Sequence, residues 1–361
     1  MAGRPRSLSA GPRPLAAPGR RPRRMSEVRP IGLIVNPRSG NDVRRVIASA
    51  GSSTLEDKTS IVRRVVLGAR VLGATHFVTH HEPHQIVRRA TETLRGVTID
   101  KVGEPIDNTE GDTTRAAAIM RERGCAAVIV LGGDGTNRAA AKGWPDMPVI
   151  PLSTGTNNAF PYWVEPTVAG SAAGLLATGV VVSDPTTLLP AKVVHVSMPD
   201  GVDELALIDA VAVADPWVGS LELFEPDTMR IAVLTRADPA AIGFSAVGGL
   251  LVPCSPEDER GVLVRFCPPG ADPPVLLHAP TAPGHYAAIG ILECRSLHLG
   301  DAIEVAGPVL LAFDGERKRR LRDGETAVFV VRRDGPRVID VRAVMAAAAH
   351  QGVFVGQFPR T

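Results

Sequence analysis

The chain has 361 residues, of which 44% are hydrophobic and 22% charged, so it suits two domains of about 150 residues each and excludes wholesale disorder. The net charge of +2 is carried by residues 1–24, which contain seven arginines and no acidic residue. Without these arginines the chain has 33 basic and 38 acidic residues, which excludes recognition of nucleic acid by bulk positive charge.

Residues 1–28 are predicted to form a disordered basic tail. Five prolines between Pro5 and Pro22 oppose the amphipathic helix of a transit peptide, and the apolar stretch of a secretory signal is missing. Because the residues after Met25 lead directly into a first strand, we expect translation to start there. Mass spectrometry of the natural protein tests whether residues 1–24 are translated.

The first half alternates short apolar runs with amphipathic segments, a pattern typical of a parallel sheet with right-handed helical crossovers. It predicts an α/β nucleotide-binding domain over residues 29–185. The predicted strands are 31–35, 76–79, 97–102, 125–131 and 149–152, and the predicted helices are 61–69, 85–94, 113–123, 138–142 and 167–177.

After residue 185 the helical periodicity nearly disappears, and short β-rich runs alternate with turns that contain Asp-Gly pairs. This pattern predicts a β-sandwich over residues 186–341, followed by a C-terminal helix and tail over residues 342–361. The predicted fold is therefore α/β followed by all-β, with a crevice between the two domains.

One glycine-rich segment carries the clearest chemical signal. Residues 132–137, Gly-Gly-Asp-Gly-Thr-Asn, follow a buried predicted strand and precede a helix, and we call them the glycine loop. Glycines let backbone N–H groups approach an anion, and the following helix N-terminus attracts negative charge. An ordinary Asp-Gly turn is the alternative, but the strand and helix on either side favour a phosphate-binding loop at the carboxyl edge of the sheet.

The glycine loop matches neither common phosphate motif. It has no Walker A lysine, and Arg138 stands where a G-x-G-x-x-G motif has its last glycine. A carboxylate at Asp134 would repel phosphates unless it binds a metal ion or accepts a proton from an attacking hydroxyl. The loop therefore points to phosphoryl transfer more than to passive binding.

Four motifs in the same order resemble the superfamily shared by ATP–NAD kinases and diacylglycerol-type lipid kinases. They are Asn36-Pro37-Arg38-Ser39-Gly40, the glycine loop, Gly155-Thr156-Asn157-Asn158, and Asp314-Gly315-Glu316. Within that superfamily, the segments around residues 31–40, 59–68 and 152–160 are most similar to the ATP–NAD kinases associated with acetoin catabolism.

The resemblance implies an NAD kinase that phosphorylates the 2′-hydroxyl of the adenosine ribose to give NADP. It implies Asp134 as catalytic base, ATP as phosphate donor, Mg²⁺ or another divalent cation, and a homo-oligomer. The metal ligands stay unassigned, as does the choice between ATP and polyphosphate and between NAD and NADH. The residues that it implies for nucleotide or phosphate binding are Asn36, Gly132, Gly133, Gly135, Thr136, Asn137, Gly155, Thr156, Asn157, Asn158, Asp209 and Asp314.

Two departures from the family pattern leave the acceptor open. NAD kinases carry an Asn-Glu pair where this chain has Ile208-Asp209, and many lipid kinases carry an aspartate where it has Ala159. The alternatives are a lipid kinase acting on diacylglycerol or a similar alcohol, and a nucleotide-binding sensor without turnover.

The remaining features predict structure or location more than catalysis. The four cysteines show no paired spacing, and the apolar runs are far shorter than a membrane span, so we expect a reduced, cytoplasmic protein without stable membrane association. We expect a solvated loop rather than a metal site at His76, His80, His81 and His84. The basic run is expected to form a solvated hairpin or to contact phosphate or a membrane surface; its residues are Arg317, Lys318, Arg319, Arg320 and Arg322. Tyr162 and Trp163 are expected either to stack on a ligand ring or to be buried.

Overall fold

The computed structural model of the chain describes residues 27–39, 54–104, 106–153, 158–214, 225–268 and 270–355. The predicted tail up to residue 26, Gly40 and the predicted ligands Gly155, Thr156 and Asn157 lie outside the described residues. Arg317 and Lys318 of the predicted basic run are described by their backbone alone.

The first half forms a parallel sheet covered by helices on both faces. The strands run in the order β3-β2-β1-β4-β5, and the central strands β1 and β4 are buried at every residue, because both faces are covered. The strands are β1 Ile31–Val35, β2 His76–His80, β3 Thr98–Val102, β4 Ala127–Leu131 and β5 Pro148–Leu152, and the helices are α1 Leu55–Val71, α2 Ile86–Thr91, α3 Glu110–Glu122, α4 Asp134–Gly143 and α5 Pro166–Ala177.

Local signals fix where these helices begin and how closely they pack. Thr54 and Asp57 form a reciprocal capping box at the start of α1. Helices α1 and α5 approach so closely that a Cβ added at Gly170 would lie 2.0 Å from the carbonyl oxygen of Val65. Glycine at position 170 is therefore required by this helix contact.

The second half forms two antiparallel sheets that enclose a core containing Val196, Phe313 and Phe329. One sheet has the order β12-β13-β11-β10-β9-β15-β16 and the other β14-β17-β7-β8, which confirms the predicted β-sandwich. The elements are β7 Val193–Ser197, β8 Glu204–Ala206, β9 Asp209–Val213, β10 Met229–Leu234, α6 Phe244–Gly249, β11 Arg260–Phe266, β12 Val275–Ala282, β13 His285–His298, β14 Ala302–Ala306, β15 Val309–Phe313, β16 Glu316–Leu321 and β17 Thr326–Arg332.

The chain returns to the first sheet before it ends. Strand β18, Arg337–Ile339, pairs in parallel with β5 and antiparallel with β6, Leu188–Pro190, and helix α7, Val341–His350, packs against α5. The structure therefore places both short strands in the α/β sheet rather than in the β-sandwich predicted over residues 186–341. Three-residue strands are too short for a period-2 pattern to indicate which sheet they join.

An apolar cluster joins the two domains beneath the site. It combines Ile34 and Val130 of the parallel sheet with Val193, Leu207 and Ile208 of the second domain. This packing joins the parallel sheet to the segment before β9. Among the described helices, none is long and apolar enough to cross a bilayer, and all four cysteines are free thiols.

Candidate functional site

The glycine loop connects the buried strand β4 to helix α4. The helix begins at Asp134, four residues earlier than predicted, with Gly133 as its N-cap. Asp134 therefore stands in the first helical turn, where the helix dipole favours a negative charge. A Cβ at Gly132 would lie 2.5 Å from Cβ of Thr136, so the turn excludes any side chain there.

The loop uses part of its own hydrogen-bonding capacity. The N–H groups of Thr136 and Asn137 both donate to the carbonyl oxygen of Gly133, each at 3.2 Å. The Asn137 side chain is buried and donates to the same oxygen at 3.0 Å. Thr136 N–H and Asn137 thus stabilise the turn.

The carboxylate of Asp134 is held by the segment that follows β5. Oδ1 accepts a hydrogen bond from the N–H of Phe160 at 2.8 Å, and the N–H of Ala159 lies 3.1 Å from Oδ2 and 3.2 Å from Oδ1. The side chain is partly buried. These contacts fix the direction of the carboxylate before any ligand binds.

Arg236, just after β10, brings a positive charge from the second domain. Its Nη1 donates to the carbonyl oxygen of Ala159 at 2.7 Å, and its guanidinium lies 5.7 Å from the ring centre of Phe160. Burial lowers the pKa of Arg236, and the carboxylates of Asp134 and other acidic residues oppose this change. Arg236 belongs to no sequence motif, and its partner Ala159 lies 77 residues earlier in the chain, so periodicity does not reveal it.

Asp314 lies at the site without facing solvent. Its side chain is 0% exposed, and it accepts N–H hydrogen bonds from Leu207 at 2.9 Å, Ile208 at 2.7 Å and Asp209 at 3.3 Å. Burial raises the pKa of Asp314 to about 7, the charge of Asp134 adds to this rise, and the hydrogen bonds oppose it. Asp314 therefore orients the segment before β9, and its contact with a nucleotide stays a prediction.

Other predicted residues meet at the carboxyl ends of β1, β4 and β5. Asn36 Nδ2 donates to Oγ1 of Thr136 at 2.8 Å, and Asn158 Nδ2 donates to Oγ of Ser153 at 3.1 Å. Asn158 also crosses the loop, since its Oδ1 would lie 3.0 Å from a Cβ at Gly133. The structure brings these predicted polar groups to one sheet edge.

The pair Ile208-Asp209 lies at the start of β9. Ile208 is 2% exposed and belongs to the apolar cluster between the domains, so it presents no polar group to a ligand. Asp209 is partly buried, and its carbonyl oxygen accepts a hydrogen bond from the N–H of Asp314 at 3.0 Å. Of this pair, Asp209 alone carries a polar side chain.

A cavity of about 300 Å³ lies beside the site at the ends of β2 and β3. Asp134 does not line it. His80 is buried, its Nε2 lies 3.1 Å from the backbone nitrogen of Val35, and burial lowers its pKa. Within the described ranges no three His, Cys, Asp or Glu side chains are grouped to hold a metal ion. The polar and charged side chains that line the cavity include Thr79, His81, Glu82, Gln85, Arg88, Lys101 and Asn108.

The two aromatic residues after Asn158 have different environments. The hydroxyl of Tyr162 donates to the carbonyl oxygen of Ile339 at 2.9 Å, and burial raises its pKa to about 12. Trp163 is 81% exposed beside a small groove of about 80 Å³. Tyr162 therefore ties β18 to the segment after β5, and Trp163 is left on the surface.

Comparison with known proteins divides the chain in the same way as the fold does. Residues 31–180 match the family described as "ATP-NAD kinase N-terminal domain", and residues 192–334 match "Acetoin catabolism protein X C-terminal domain". The chain is 34% identical over 331 residues to "Acetoin catabolism protein X" of Cupriavidus necator, covering 88% of this chain and 92% of that protein. Its fold is similar to that of yeast NADH kinase, solved in complex with NADH, with a TM-score of 0.52, 12% identity, and coverage of 93% of this chain and 91% of that one.

Proposed function

Since the chain belongs to the acetoin catabolism protein X family, we propose that it is a phosphotransferase with an alcohol group as acceptor. This relationship confirms the family resemblance that the four motifs predict. The first domain matches that of ATP–NAD kinases, which supports ATP as donor and the 2′-hydroxyl of the adenosine ribose of NAD as acceptor. The product is then NADP.

The position of Asp134 carries the proposal. Its carboxylate stands in the first turn of α4 at the junction of the two domains, with its direction fixed by the N–H groups of Ala159 and Phe160. A carboxylate so placed accepts the proton of the attacking hydroxyl as the new O–P bond forms, while the bond from the γ-phosphorus to the bridging oxygen breaks and ADP leaves. Phosphoryl transfer depends mainly on alignment and charge neutralisation, so a fixed base is worth more than a mobile one.

The cavity at the ends of β2 and β3 suits the nucleoside part of the donor. Because β2 lies next to β1, and β1 next to β4, a nucleotide there points its phosphates along the sheet edge toward the glycine loop. Lys101 and Arg88 supply positive charge, and the Thr79, Gln85 and Asn108 side chains supply polar groups. This placement leaves the opposite side of Asp134, facing β9, for the acceptor.

The described residues do not form a metal site of their own. The carboxylates of Asp134 and Asp314 accept backbone hydrogen bonds, and Glu316 is paired with Arg138 at 3.0 Å. A divalent cation brought in with the donor phosphates would supply charge neutralisation there.

Ile208 favours one second candidate, a kinase for a lipid alcohol. NAD kinases have a hydrogen-bonding asparagine at this position, whereas Ile208 is buried in an apolar cluster. A site without that amide loses a contact to a dinucleotide but not to an alcohol that needs no such contact. The base, the glycine loop and the donor position are the same in both candidates.

A direct assay separates the candidates. Purified protein with Mg·ATP is given NAD, NADH or diacylglycerol, and NADP, NADPH or phosphatidic acid is measured. NADP formation supports the proposed function, whereas phosphatidic acid alone supports the lipid kinase. Binding of NAD without product from either ATP or polyphosphate contradicts both and identifies a sensor.

A further inference from the structure

Arg138 is a fully buried charged side chain at the site. It lies on α4, four residues after Asp134, and is 0% exposed. Its Nη2 donates to Glu110 at 3.2 Å and to Glu316 at 3.0 Å. Its Nε lies 3.7 Å from an oxygen of Asp314, and its Nη1 lies 4.0 Å from an oxygen of Glu204.

These four carboxylates come from both domains. Glu110 begins α3 of the α/β domain, and Glu204 begins β8 of the β-sandwich. Asp314 and Glu316 flank the turn between β15 and β16. One guanidinium therefore hydrogen-bonds to Glu316 of the second domain and lies within ion-pair distance of Asp314 and Glu204. Lys142 of the same helix holds Glu204 more closely, at 2.5 Å.

The turn between β15 and β16 lies directly against the glycine loop. A Cβ added at Gly135 would lie 2.8 Å from Oε1 of Glu316. Because Gly135 has no side chain, the Glu316 carboxylate can lie directly against the backbone of the glycine loop. Arg138 contacts the other oxygen of the same carboxylate. The backbone of Asp314 at this turn has a φ of 50°, a left-handed conformation that is uncommon outside glycine.

We propose that Arg138 is a positioning residue that holds the turn Asp314–Glu316 of the β-sandwich over the glycine loop. It thereby fixes the distance between the two domains at Asp134. The kinetic part of this inference rests on the proposed function, whereas its structural part does not.

The physical chemistry explains why arginine is needed. A buried guanidinium without partners is strongly unfavourable, so loss of the turn contact is opposed by the charge that it would leave unpaired. The planar fork of donors reaches carboxylates on several sides at once, which a lysine ammonium on a flexible stem does not reproduce. The Arg138 guanidinium and its carboxylate partners therefore form a rigid connection between the domains.

The test compares Arg138→Met, Arg138→Lys and Glu316→Gln with Arg337→Met. The Arg337 side chain pairs with Asp146 at 2.8 Å on the surface and is 51% exposed, so it serves as a control for loss of an ion pair. Hydrogen–deuterium exchange is followed at residues 204–209 and 314–316 and at β1 and β4. Kinase assays give kcat and KM for each variant and for the double variant Arg138→Met/Glu316→Gln.

The inference predicts faster exchange at residues 204–209 and 314–316 in both Arg138 variants, with unchanged exchange in β1 and β4. We expect kcat to fall up to about 100-fold with little change in KM, because a small displacement of aligned groups costs about that much. The double variant should be no slower than the worse single variant.

Two results would overturn the inference. One is exchange at the turn that matches the Arg337→Met control; the other is effects of Arg138→Met and Glu316→Gln that multiply. If Arg138→Met does not fold, Glu316→Gln decides, since it removes the negative charge that pairs with Arg138 from a partly exposed residue of the turn. A chain without kinase activity but with the predicted exchange pattern contradicts the proposed function and leaves the structural link supported.

Discussion

Phe160 donates its backbone N–H to Oδ1 of Asp134 across 2.8 Å, although 26 residues separate them in the chain. This bond makes the segment after β5 the support for the carboxylate on α4. Because Arg236 holds the carbonyl oxygen of neighbouring Ala159, the support reaches into the second domain. The direction of one carboxylate thus depends on three chain segments.

Replacing Asp134 by asparagine tests its role as base. Asparagine keeps the size and one acceptor oxygen but does not accept a proton, so we expect kcat to fall about 10²- to 10⁴-fold. Binding of NAD and ATP, measured by calorimetry, should change little. A variant with unchanged turnover would remove Asp134 from the mechanism.

The sequence predicts the central strands well, because they are defined by local apolar runs. The predicted strand 31–35 coincides with β1, and the predicted strand 76–79 lies within β2. The sequence does not predict the strands at the edge of the α/β sheet. Strands β6 and β18 have three residues each, and they pair although they are far apart in sequence. Periodicity carries no information about such pairing.

The candidate site is predictable to the same extent. The glycine loop, Asn36 and Asn158 meet as their motifs predict, because parallel strands place their carboxyl ends at one edge. Arg236 and Arg138 carry no motif, since their function depends on partners up to 178 residues away. A sequence pattern does not identify these two arginines, because their partners are distant along the chain.

Replacing Arg236 by lysine tests the support from the second domain. Lysine keeps the charge but loses the guanidinium that lies 5.7 Å from the ring centre of Phe160 and the fixed donor to Ala159. Hydrogen bonds of charged groups are worth about 1.5–3 kcal/mol, so we expect kcat/KM to fall roughly 10- to 100-fold. The exposed pair Arg64–Glu165 provides the control: Arg64→Lys should leave kcat/KM unchanged.

Reversing the charge of Lys101 tests the placement of the donor. Lys101→Glu puts a negative charge into the cavity at the ends of β2 and β3, so the KM for ATP should rise about 3- to 10-fold with kcat little changed. The KM for the acceptor should stay the same. Arg121→Glu, an exposed reversal on α3, is the matched control. Equal effects of both reversals would place the donor elsewhere.

The raised pKa of Asp314 predicts a pH dependence of stability. The carboxyl group ionises near 3.8 in the unfolded chain and at about 7 in the folded one, so the folded state binds more protons between these values. The stability that this group contributes is therefore fully present below pH 3.8 and is lost as pH rises through about 7.

The measurement compares the free energy of unfolding of the wild type and Asp314→Asn in urea across this pH range. The difference between the two free energies of unfolding cancels the contributions of groups common to both chains. One such group is His80, whose lowered pKa changes stability with pH in the opposite direction. Asparagine leaves one amide N–H of the segment before β9 without its acceptor, so the variant should be less stable at acidic pH. This deficit should shrink as pH rises toward neutrality, because the wild type then carries a buried negative charge that asparagine lacks. Parallel pH profiles for the two chains would show that Asp314 ionises as readily in the folded protein as in the unfolded chain.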